Sequence, residues 1–416
     1  MAMVESGMQM TNMKLEKMIS MVGGDGEFSY QRMGVIQAKA IRRLEPLIAE
    51  AVKQISLPEQ GPLRIADFGC STGRNSINYI NFIVKCVADR YVDTAGENKG
   101  HVTCMPEMLA SFIDLPGNDF NNLIQLLASE PTNAKDLAGS VTGADVGRAS
   151  SYFSAITAGS FYNRLLPKES LHFAISIFSL HWLSQIPATL TNPSSPLYNK
   201  GRSWILGSHP TIAREFAHQS MLDLDNFLDS RAAEMAPGGI VFAYFISRQD
   251  PVNPENQTNP ECRHRYFAGH DFENAWNDLI DDGVITAETR DTFNLPIYCR
   301  SKEEVEASVI KCGAFDVQYL QSLDDENLCP EDELMHMLQF PQSFATFFST
   351  WLRAGFAPIM EAHMGRHNTD EFFIRHQRRI AARTTSLLSD PKAQQEYKIL
   401  SMSLLLVVLK RKVPST

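Results

Sequence analysis

The chain has 416 residues, with 38 Lys and Arg against 48 Asp and Glu, and a formal net charge of −10. Hydrophobic residues make up 44% and charged residues 21%, proportions that exclude collagen-like, disordered and low-complexity proteins. The acidic excess argues against nucleic acid as a partner, because phosphate binding needs clustered Lys and Arg. The length exceeds that of one ordinary domain, which predicts a core domain with a second body or large insertions.

Membrane and secretion signals are missing from the sequence pattern. The most apolar stretch, residues 400–409, has the length of one strand, so no membrane association is predicted. The N-terminus has no basic region followed by an apolar one, and it is therefore not a secretory signal. The seven cysteines are odd in number and form no C-x-x-C pair. These features predict a reduced, cytoplasmic protein with neither a disulfide framework nor a zinc site.

The first predicted element is a helix over residues 31–57, where apolar residues recur at helical spacing. A short apolar strand over residues 63–69 then runs into a glycine, and a helix over residues 76–86 follows. Strand, glycine turn and helix together are typical of the first unit of a parallel α/β sheet.

Six further strands are predicted along the chain, and a helix over residues 212–235 with a turn at 236–239 precedes one of them. Seven strands with intervening helices predict an α/β protein with a doubly wound sheet. The six strands cover residues 108–114, 152–158, 172–180, 239–246, 315–320 and 400–409.

Two helical stretches interrupt this alternation. Residues 251–302 and 323–396 are predicted to pack together as a helical cap, while 45–250, completed by 303–322 and 397–413, form the core. The basic run within the second stretch is predicted to be a solvated helix face. Open α/β sheets bind ligands at the carboxyl ends of their strands, so a site is expected between sheet and cap.

The first glycine turn carries the first chemical signal. Residues 67–75 place Gly69 and Gly73 in a G-x-x-x-G spacing, whereas a dinucleotide fingerprint needs G-x-G-x-x-G. Glycines still let a nucleoside approach the backbone closely. Asp114, at the end of the next strand, could accept hydrogen bonds from two ribose hydroxyls. This layout with Asp67 is typical of S-adenosylmethionine (SAM) binding. A plain turn with a helix-capping Asp explains the motif about equally well.

Five other segments are distinctive in composition and order. They are GGDGEFSY (23–30), DLPGNDFN (114–121), GSFYNRL (159–165), FSLHWLS (178–184) and FNLPIY (293–298).

Together, from about residue 21 to 412, these segments resemble the plant SABATH family of SAM-dependent methyltransferases. Its members methylate the carboxyl groups of salicylate, benzoate, jasmonate, indole acetate and cinnamates, and one branch methylates purine nitrogens. The resemblance implies a Rossmann-like class I SAM methyltransferase core, with a seven-stranded, mostly parallel sheet and an inserted helical cap. It also implies a homodimer, and residues 1–44 as a segment that lines the active site.

The resemblance implies two sets of site residues. Gln37 and Trp182 match the pair that holds the substrate carboxylate, one through an amide and the other through a donor-only indole N–H. For Phe161 and His181, ordinary core packing is the competing interpretation. The other implied substrate-pocket residues are Phe178, His181, Leu352 and Phe373. The implied SAM contacts are Tyr30, Asp67, Cys70, Asn75, Asp114, Leu115, Ser160 and Phe161.

A divalent-ion site is also implied by the resemblance. Asn199, Asp291, the carbonyl of Phe293, and Asn294 match an all-oxygen site for Mg²⁺. The alternative is a structural turn in which Asp291 caps Asn294.

Departures from the family pattern shape the expected substrate. Met33-Gly34 stands where the family commonly has Asn-Ser, which removes a hydroxyl that could hold the polar end of SAM. Phe178 stands where Tyr is common, and the loss of this pocket hydroxyl favours a carboxylic acid over a purine. Gly269 and Gly355 stand where bulk is expected, so the pocket should be longer than salicylate requires.

A cinnamate- or coumarate-like acid is therefore favoured, with benzoate, salicylate and indole acetate as further candidates. The main alternative is an N-methyltransferase acting on a purine-like heterocycle. An NAD-dependent oxidoreductase and a binding module without turnover are the more distant rivals. No catalytic acid, base or nucleophile is expected, because a carboxylic acid with a pKa of about 4 is already ionised at neutral pH.

Overall fold

A computed structural model of the protein shows seven strands in one sheet, with helices on both faces. The strands are β1 (Leu63–Phe68), β2 (Met108–Asp114), β3 (Phe153–Ala158), β4 (Leu171–Ile177), β5 (Met235–Ile246), β6 (Phe315–Asn327) and β7 (Ser401–Arg411). The structure describes residues 19–24, 26–97, 105–129, 152–257, 269–327, 336–390 and 401–414.

The helices alternate with these strands, apart from a group between β5 and β7. They are α1 (Tyr30–Met33), α2 (Val35–Lys53), α3 (Arg74–Glu97), α4 (Phe120–Ser129), α5 (Ala188–Thr191), α6 (Pro210–Glu234), α7 (His270–Asp281), α8 (Ala287–Asp291), α9 (Lys302–Cys312), α10 (Pro341–Met364) and α11 (Arg366–Leu388).

The strand order is β3-β2-β1-β4-β5-β7-β6. The first five strands run parallel, and β7 is antiparallel to both of its neighbours. The predicted fold class, a seven-stranded, mostly parallel Rossmann-like sheet with added helices, is thereby confirmed. Because parallel strands point in the same direction, their carboxyl ends lie at one edge of the sheet. The residues that follow β1, β2, β3 and β4 therefore lie near one another.

The central strands are buried on both faces, which is why their sequences are nearly continuous apolar runs. One face packs against α2 and α3, through residues such as Ile65 of β1 and Ile80 of α3. The opposite face packs against α6 and α9, through residues such as Phe68 of β1 and Phe227 of α6. The sheet is therefore doubly wound, as the sequence predicts.

Local sequence signals set the ends of the helices. α9 begins with a capping box between Ser301 and Glu304, and it ends at Gly313 in a left-handed conformation. α6 carries Pro210 in its first turn, where the missing N–H costs no helical hydrogen bond.

Several predicted element boundaries were wrong, among them the end of the helix predicted over residues 76–86, which continues to Glu97. The helix predicted over residues 31–57 is broken at Gly34, whose carbonyl accepts a hydrogen bond from the Asn75 side chain at 3.1 Å. β5 begins at Met235, so the predicted turn at 236–239 lies inside the strand, where the pairing with β4 shifts register. β4 ends at Ile177, because Phe178 turns to a positive φ of 54°.

The helices α7, α10 and α11 pack on one another in the part of the chain that was predicted to form a cap. The basic run on α11 is not simply a solvated face: three arginines four residues apart pair with aspartates of or next to α7. The pairs are Arg375 with Asp282, Arg379 with Asp278, and Arg383 with Asp271.

Two further observations bear on the predicted boundaries and membrane segments. β6 continues to Asn327, past the boundary at 322 predicted for the core. Residues 258–268, 328–335 and 391–396 of the predicted cap lie outside the described residues, as do residues 397–400 of the predicted core. Among the described helices, none combines the length and the apolar character that crossing a membrane requires.

Candidate active site

A cavity lies at the carboxyl edge of the sheet, between the strand ends and α10. It spans about 1210 Å³ of space free of protein atoms, part of it open to solvent. The predicted site residues that line it are Tyr30, Gln37, Asp114, Leu115, Ser160, Phe161, Phe178, His181, Trp182 and Leu352. The structure thus brings together residues from the N-terminal segment, four strand ends and the cap.

The glycine turn after β1 closes one end of this cavity. Gly69 has a φ of 104°, and a Cβ placed on it would lie 2.1 Å from Ser179 Oγ, so glycine is required there. Ser71 also has a positive φ, and its backbone N–H donates to Asp114 Oδ2 at 2.6 Å. The Ser71 hydroxyl oxygen is buried and has no partner among the described residues.

Asp114 stands at the end of β2 with both carboxylate oxygens engaged. Oδ1 accepts a hydrogen bond from the Leu115 N–H at 2.8 Å. Burial raises the pKa of Asp114 to about 6, against the opposing effect of the two backbone N–H groups. Each oxygen keeps a second lone pair, so the carboxylate can still accept hydrogen bonds from a vicinal diol. Leu115 and Phe161 supply apolar surface on the same cavity wall.

Three of the residues predicted to contact SAM do not line the cavity. Asp67 is fully buried under the turn and accepts a hydrogen bond from Ser76 Oγ, and burial raises its pKa to about 7. Cys70 is also buried, which raises the pKa of its thiol well above the ordinary value. Asn75 donates to the Gly34 carbonyl. The polar groups of these side chains are hydrogen-bonded to other parts of the protein or buried in it. The three residues therefore support the turn on the side away from the cavity.

The cavity wall after β3 is held by a buried ion pair on α6. Arg231 and Glu234 are both fully buried, and their side chains lie 2.8 Å apart. Arg231 donates to the Phe161 carbonyl at 2.8 Å, and Glu234 accepts from the Leu166 N–H at 2.9 Å. Neither charge faces the cavity, and together they fix the backbone that carries Ser160 and Phe161.

Trp182 is anchored through its backbone. Its N–H donates to the Ser179 carbonyl at 3.1 Å, and its carbonyl accepts from the Tyr162 hydroxyl. Its ring lies 6.0 Å from that of Phe356 and 6.1 Å from that of His181, centroid to centroid. No described residue accepts a hydrogen bond from the indole N–H, which leaves this donor for a ligand.

His181 is neutral in this environment. It is 5% exposed, and burial, with Arg300 nearby, lowers its pKa to about 3. Its Nδ1 atom has no partner among the described residues. The imidazole therefore offers the cavity a polar, uncharged wall at neutral pH.

Gln37 on α2 contacts a residue of the cap helix α10. Its side-chain oxygen Oε1 accepts a hydrogen bond from Trp351 Nε1 of α10 at 3.3 Å, and both residues line the cavity. Five other lining residues were not predicted as site residues from the sequence: Ser71, Asn118, Tyr162, Trp351 and Phe356. Asn118 and Tyr162 lie within two of the distinctive segments, which could have indicated them; Trp351 carried no such signal.

Of the residues predicted to form the substrate wall in the cap, two line the cavity and two do not. Leu352 and Gly355 line the cavity, and the nearest heavy atom to a Cβ built on Gly355 is the Met21 sulfur at 3.8 Å. Phe373 does not line it, because its ring packs inside the cap against Phe372, 5.2 Å away between centroids. Gly269 caps the start of α7 and is likewise not part of the wall.

The four predicted metal ligands lie close together, but two of their oxygens, Asn294 Oδ1 and Asp291 Oδ1, already accept hydrogen bonds from protein donors. Asn199 Nδ2 donates to Asn294 Oδ1 at 2.7 Å, and Asp291 Oδ1 accepts from Gly201 N–H and contacts Arg290 at 2.7 Å. A guanidinium on the acid opposes a cation, so this arrangement does not fit Mg²⁺. No cluster of metal-binding acids, histidines or cysteines occurs in the described part of the chain. These contacts are those of a structural turn, although Asp291 accepts hydrogen bonds from Gly201 and Arg290 and not from Asn294.

Comparisons with known proteins agree with the fold. The family model for SAM-dependent carboxyl methyltransferases matches residues 16–412. Gibberellic acid methyltransferase 2 of Arabidopsis thaliana is 34% identical over 89% of this chain and 91% of its own length. Indole-3-acetate O-methyltransferase 1 of the same plant is 35% identical over 91% of this chain and 93% of its own length.

A solved structure titled loganic acid methyltransferase with SAH superimposes with a TM-score of 0.76 at 27% identity. The match covers 94% of this chain and 99% of that one. With a family model over nearly the whole length and relatives above 30% identity, the chain belongs to the SABATH family of SAM-dependent carboxyl methyltransferases.

Proposed function

We propose that this enzyme transfers the methyl group of SAM to the carboxylate of a small aromatic acid longer than salicylate, forming its methyl ester. The observation that carries the proposal is the polarity of the cavity. Two neutral donors, Gln37 and Trp182, line it beside the uncharged His181, and Asp114 is the one acidic residue among the described residues that line it. A carboxylate can be bound there without repulsion and without a strong ion pair.

The SAM end of the cavity is assigned to the glycine turn and the ends of β2 and β3. Asp114 suits the ribose hydroxyls because its oxygens retain accepting capacity. Leu115 and Phe161 suit the faces of adenine, and Tyr30 and Ser160 suit the polar parts of the molecule. The buried Ser71 hydroxyl, which lacks a protein partner in the described chain, is a further contact for a polar ligand.

Catalysis then depends on alignment. When bound, SAM supplies a methyl group on a sulfonium that leaves as a neutral thioether. The acid, with an ordinary pKa of about 4, is already ionised, so no side chain has to move a proton. Held geometry can contribute on the order of 7–11 kcal/mol. The rings of Phe178 and Trp182 line the cavity, exclude water and suit a cation.

The length of the acid is argued from the cap. Gly355 lacks a side chain on the cavity side, and Leu352 beside it is flexible and apolar. Phe178 adds an aromatic wall without a hydroxyl. We therefore favour a cinnamate- or coumarate-like acid. The relatives named for gibberellic acid and indole acetate keep those acids as direct competitors.

A substrate panel with methyl-labelled SAM tests this assignment. The panel contains benzoate, salicylate, cinnamate, coumarate, indole acetate, jasmonate, gibberellic acid and a xanthine. We expect the label in a base-labile product, with a kcat/KM for cinnamate or coumarate at least about tenfold above that for salicylate. One extra group in an apolar pocket changes kcat/KM by about 10- to 200-fold. Label in a base-stable purine product, or SAM binding with no acid methylated, would contradict the proposal. A preference for gibberellic acid or indole acetate would contradict only the choice of a cinnamate- or coumarate-like substrate, and not the methylation of a carboxylate.

A further inference from the structure

Gln37 and Trp351 meet at the boundary between the N-terminal helices and the cap. They are 314 positions apart in sequence, and both are at least nine-tenths buried. Trp351 Nε1 lies 3.3 Å from Gln37 Oε1, and both side chains line the cavity. The contact therefore joins Gln37, which belongs to the proposed acid site, to Trp351, which has been given no function in that site.

The direction of this hydrogen bond fixes the direction of the amide. The two ends of a glutamine amide have almost the same shape, so its terminal torsion can present either the oxygen or the NH₂ group. An indole N–H is only a donor, and it must face the oxygen. With Oε1 turned toward Trp351, the NH₂ group is turned away from it. Gln37 also lies beside the Tyr30 hydroxyl: burial and the Asp114 carboxylate raise the pKa of Tyr30 to about 12, and the Gln37 side chain opposes this rise.

Resting on the proposed function, we infer that Trp351 is a positioning residue that makes Gln37 present its NH₂ group, and not its oxygen, to the substrate. A carboxylate only accepts hydrogen bonds, so it needs donors from both Gln37 and Trp182. A neutral carboxamide of the same shape can pair with either end of the Gln37 amide. Trp351 therefore makes the site select an ionised carboxylate over its carboxamide analogue.

The test compares Trp351→Phe with the unaltered enzyme. The probes are the acid methylated fastest in the panel above and its primary amide, used as an inhibitor. We expect the KM for the acid to rise about 2- to 10-fold, because the acid itself must then turn and hold the Gln37 amide. The dissociation constant of SAM stays within about twofold, and affinity for the amide changes little, so the acid-to-amide preference falls by the same factor as the KM rises.

A double-variant cycle separates positioning from simple wall packing. In a Gln37→Ala background, Trp351→Phe is expected to have little further effect on the acid, because the group it orients is gone. Trp276→Phe is the matched control: its indole is fully buried in the same cap and has no partner in the described chain. It should keep the acid-to-amide preference. If Trp351→Phe folds poorly, Trp351→His retains a ring N–H and should retain most of the preference.

Two outcomes overturn the inference. The first is an unchanged acid-to-amide preference in Trp351→Phe, and the second is an equal effect with and without Gln37. If the unaltered enzyme methylates no acid, the proposed function itself fails, and this result is visible before any variant is compared.

Discussion

Asp114 combines two properties that have opposite effects on its charge. Burial raises its pKa to about 6, while the N–H groups of Ser71 and Leu115 stabilise the ionised form. Because the pKa lies above the ordinary value, the carboxylate is ionised above about pH 6 and protonated below it. The titratable groups around it are Tyr30, Cys70 and Asp67, and burial raises the pKa of each of them.

This pKa gives SAM binding an expected pH dependence. A ribose diol donates to the ionised carboxylate, so SAM affinity should fall as the pH drops from 7.5 to 5. Asp114→Asn should weaken binding at pH 7.5 by roughly 10- to 100-fold and remove the pH dependence. Calorimetric titration with SAM at pH 5, 6 and 7.5 measures both effects. A slope that survives in Asp114→Asn would assign the titration to Asp67.

At this scale, the sequence predicted residues that stand directly after strands. Asp114, Ser160 and Trp182 could be located because the carboxyl ends of parallel strands converge. Asp67, Cys70 and Asn75 do not line the cavity, and their contact with SAM stays a prediction. A motif shows that a turn is present, but it does not show which of its side chains face the ligand. Trp351 could not be predicted at all, since its partner is 314 positions away.

At the scale of elements, the ion pairs between α7 and α11 hold the cap together. Two nitrogens of Arg383 lie 2.7 and 2.8 Å from the Asp271 carboxylate, whose side chain is 5% exposed. Burial raises the pKa of Asp271, and Arg383 opposes the rise. The pairing therefore keeps a buried carboxylate ionised at an interface between two helices.

Removing Arg383 should leave that carboxylate buried and unpaired. We expect Arg383→Met to lower the free energy of unfolding by about 1–3 kcal/mol at pH 7.5. Without its partner, the folded-state pKa of Asp271 rises further above its unfolded value. Protonation then favours the folded state, so the deficit should be smaller at pH 5 and grow as the pH rises. Denaturant unfolding at the two pH values measures it.

Arg378→Met is the control for this comparison, because Arg378 is exposed on the same helix. It should change stability by less than about 0.5 kcal/mol. A deficit in Arg383→Met that is equal at both pH values would show that lost packing, and not the unpaired charge, causes it.

Element boundaries show where sequence patterns were insufficient. Apolar runs located the strands, most clearly β1, β2, β4 and β5, because parallel strands that are buried on both faces need such runs. The break at Gly34 and the entry of residues 236–239 into β5 depend on contacts with Asn75 and with β4. Such tertiary contacts override local turn and helix signals, which is why these boundaries were missed.

In the whole molecule, the net charge of −10 and the neutral acid site are separate properties. Among the described residues that line the cavity, Asp114 at the proposed SAM end is the one acidic residue, and Glu234 behind the wall is neutralised by Arg231. Overall charge therefore reflects the outer surface and says little about the ligand. The length beyond one sheet domain corresponds to the helices α7, α10 and α11, and α10 closes the cavity.

The central claim is that one cavity is divided between SAM and an acid held by Gln37 and Trp182. Titrating Trp182→Ala and Trp182→Phe with SAM and with the acid tests this division most directly. We expect acid binding to weaken roughly tenfold or more in both variants, through loss of the indole N–H, with SAM binding kept within about twofold. An equal loss of SAM and acid binding, or acid binding unchanged in Trp182→Phe, would contradict the account.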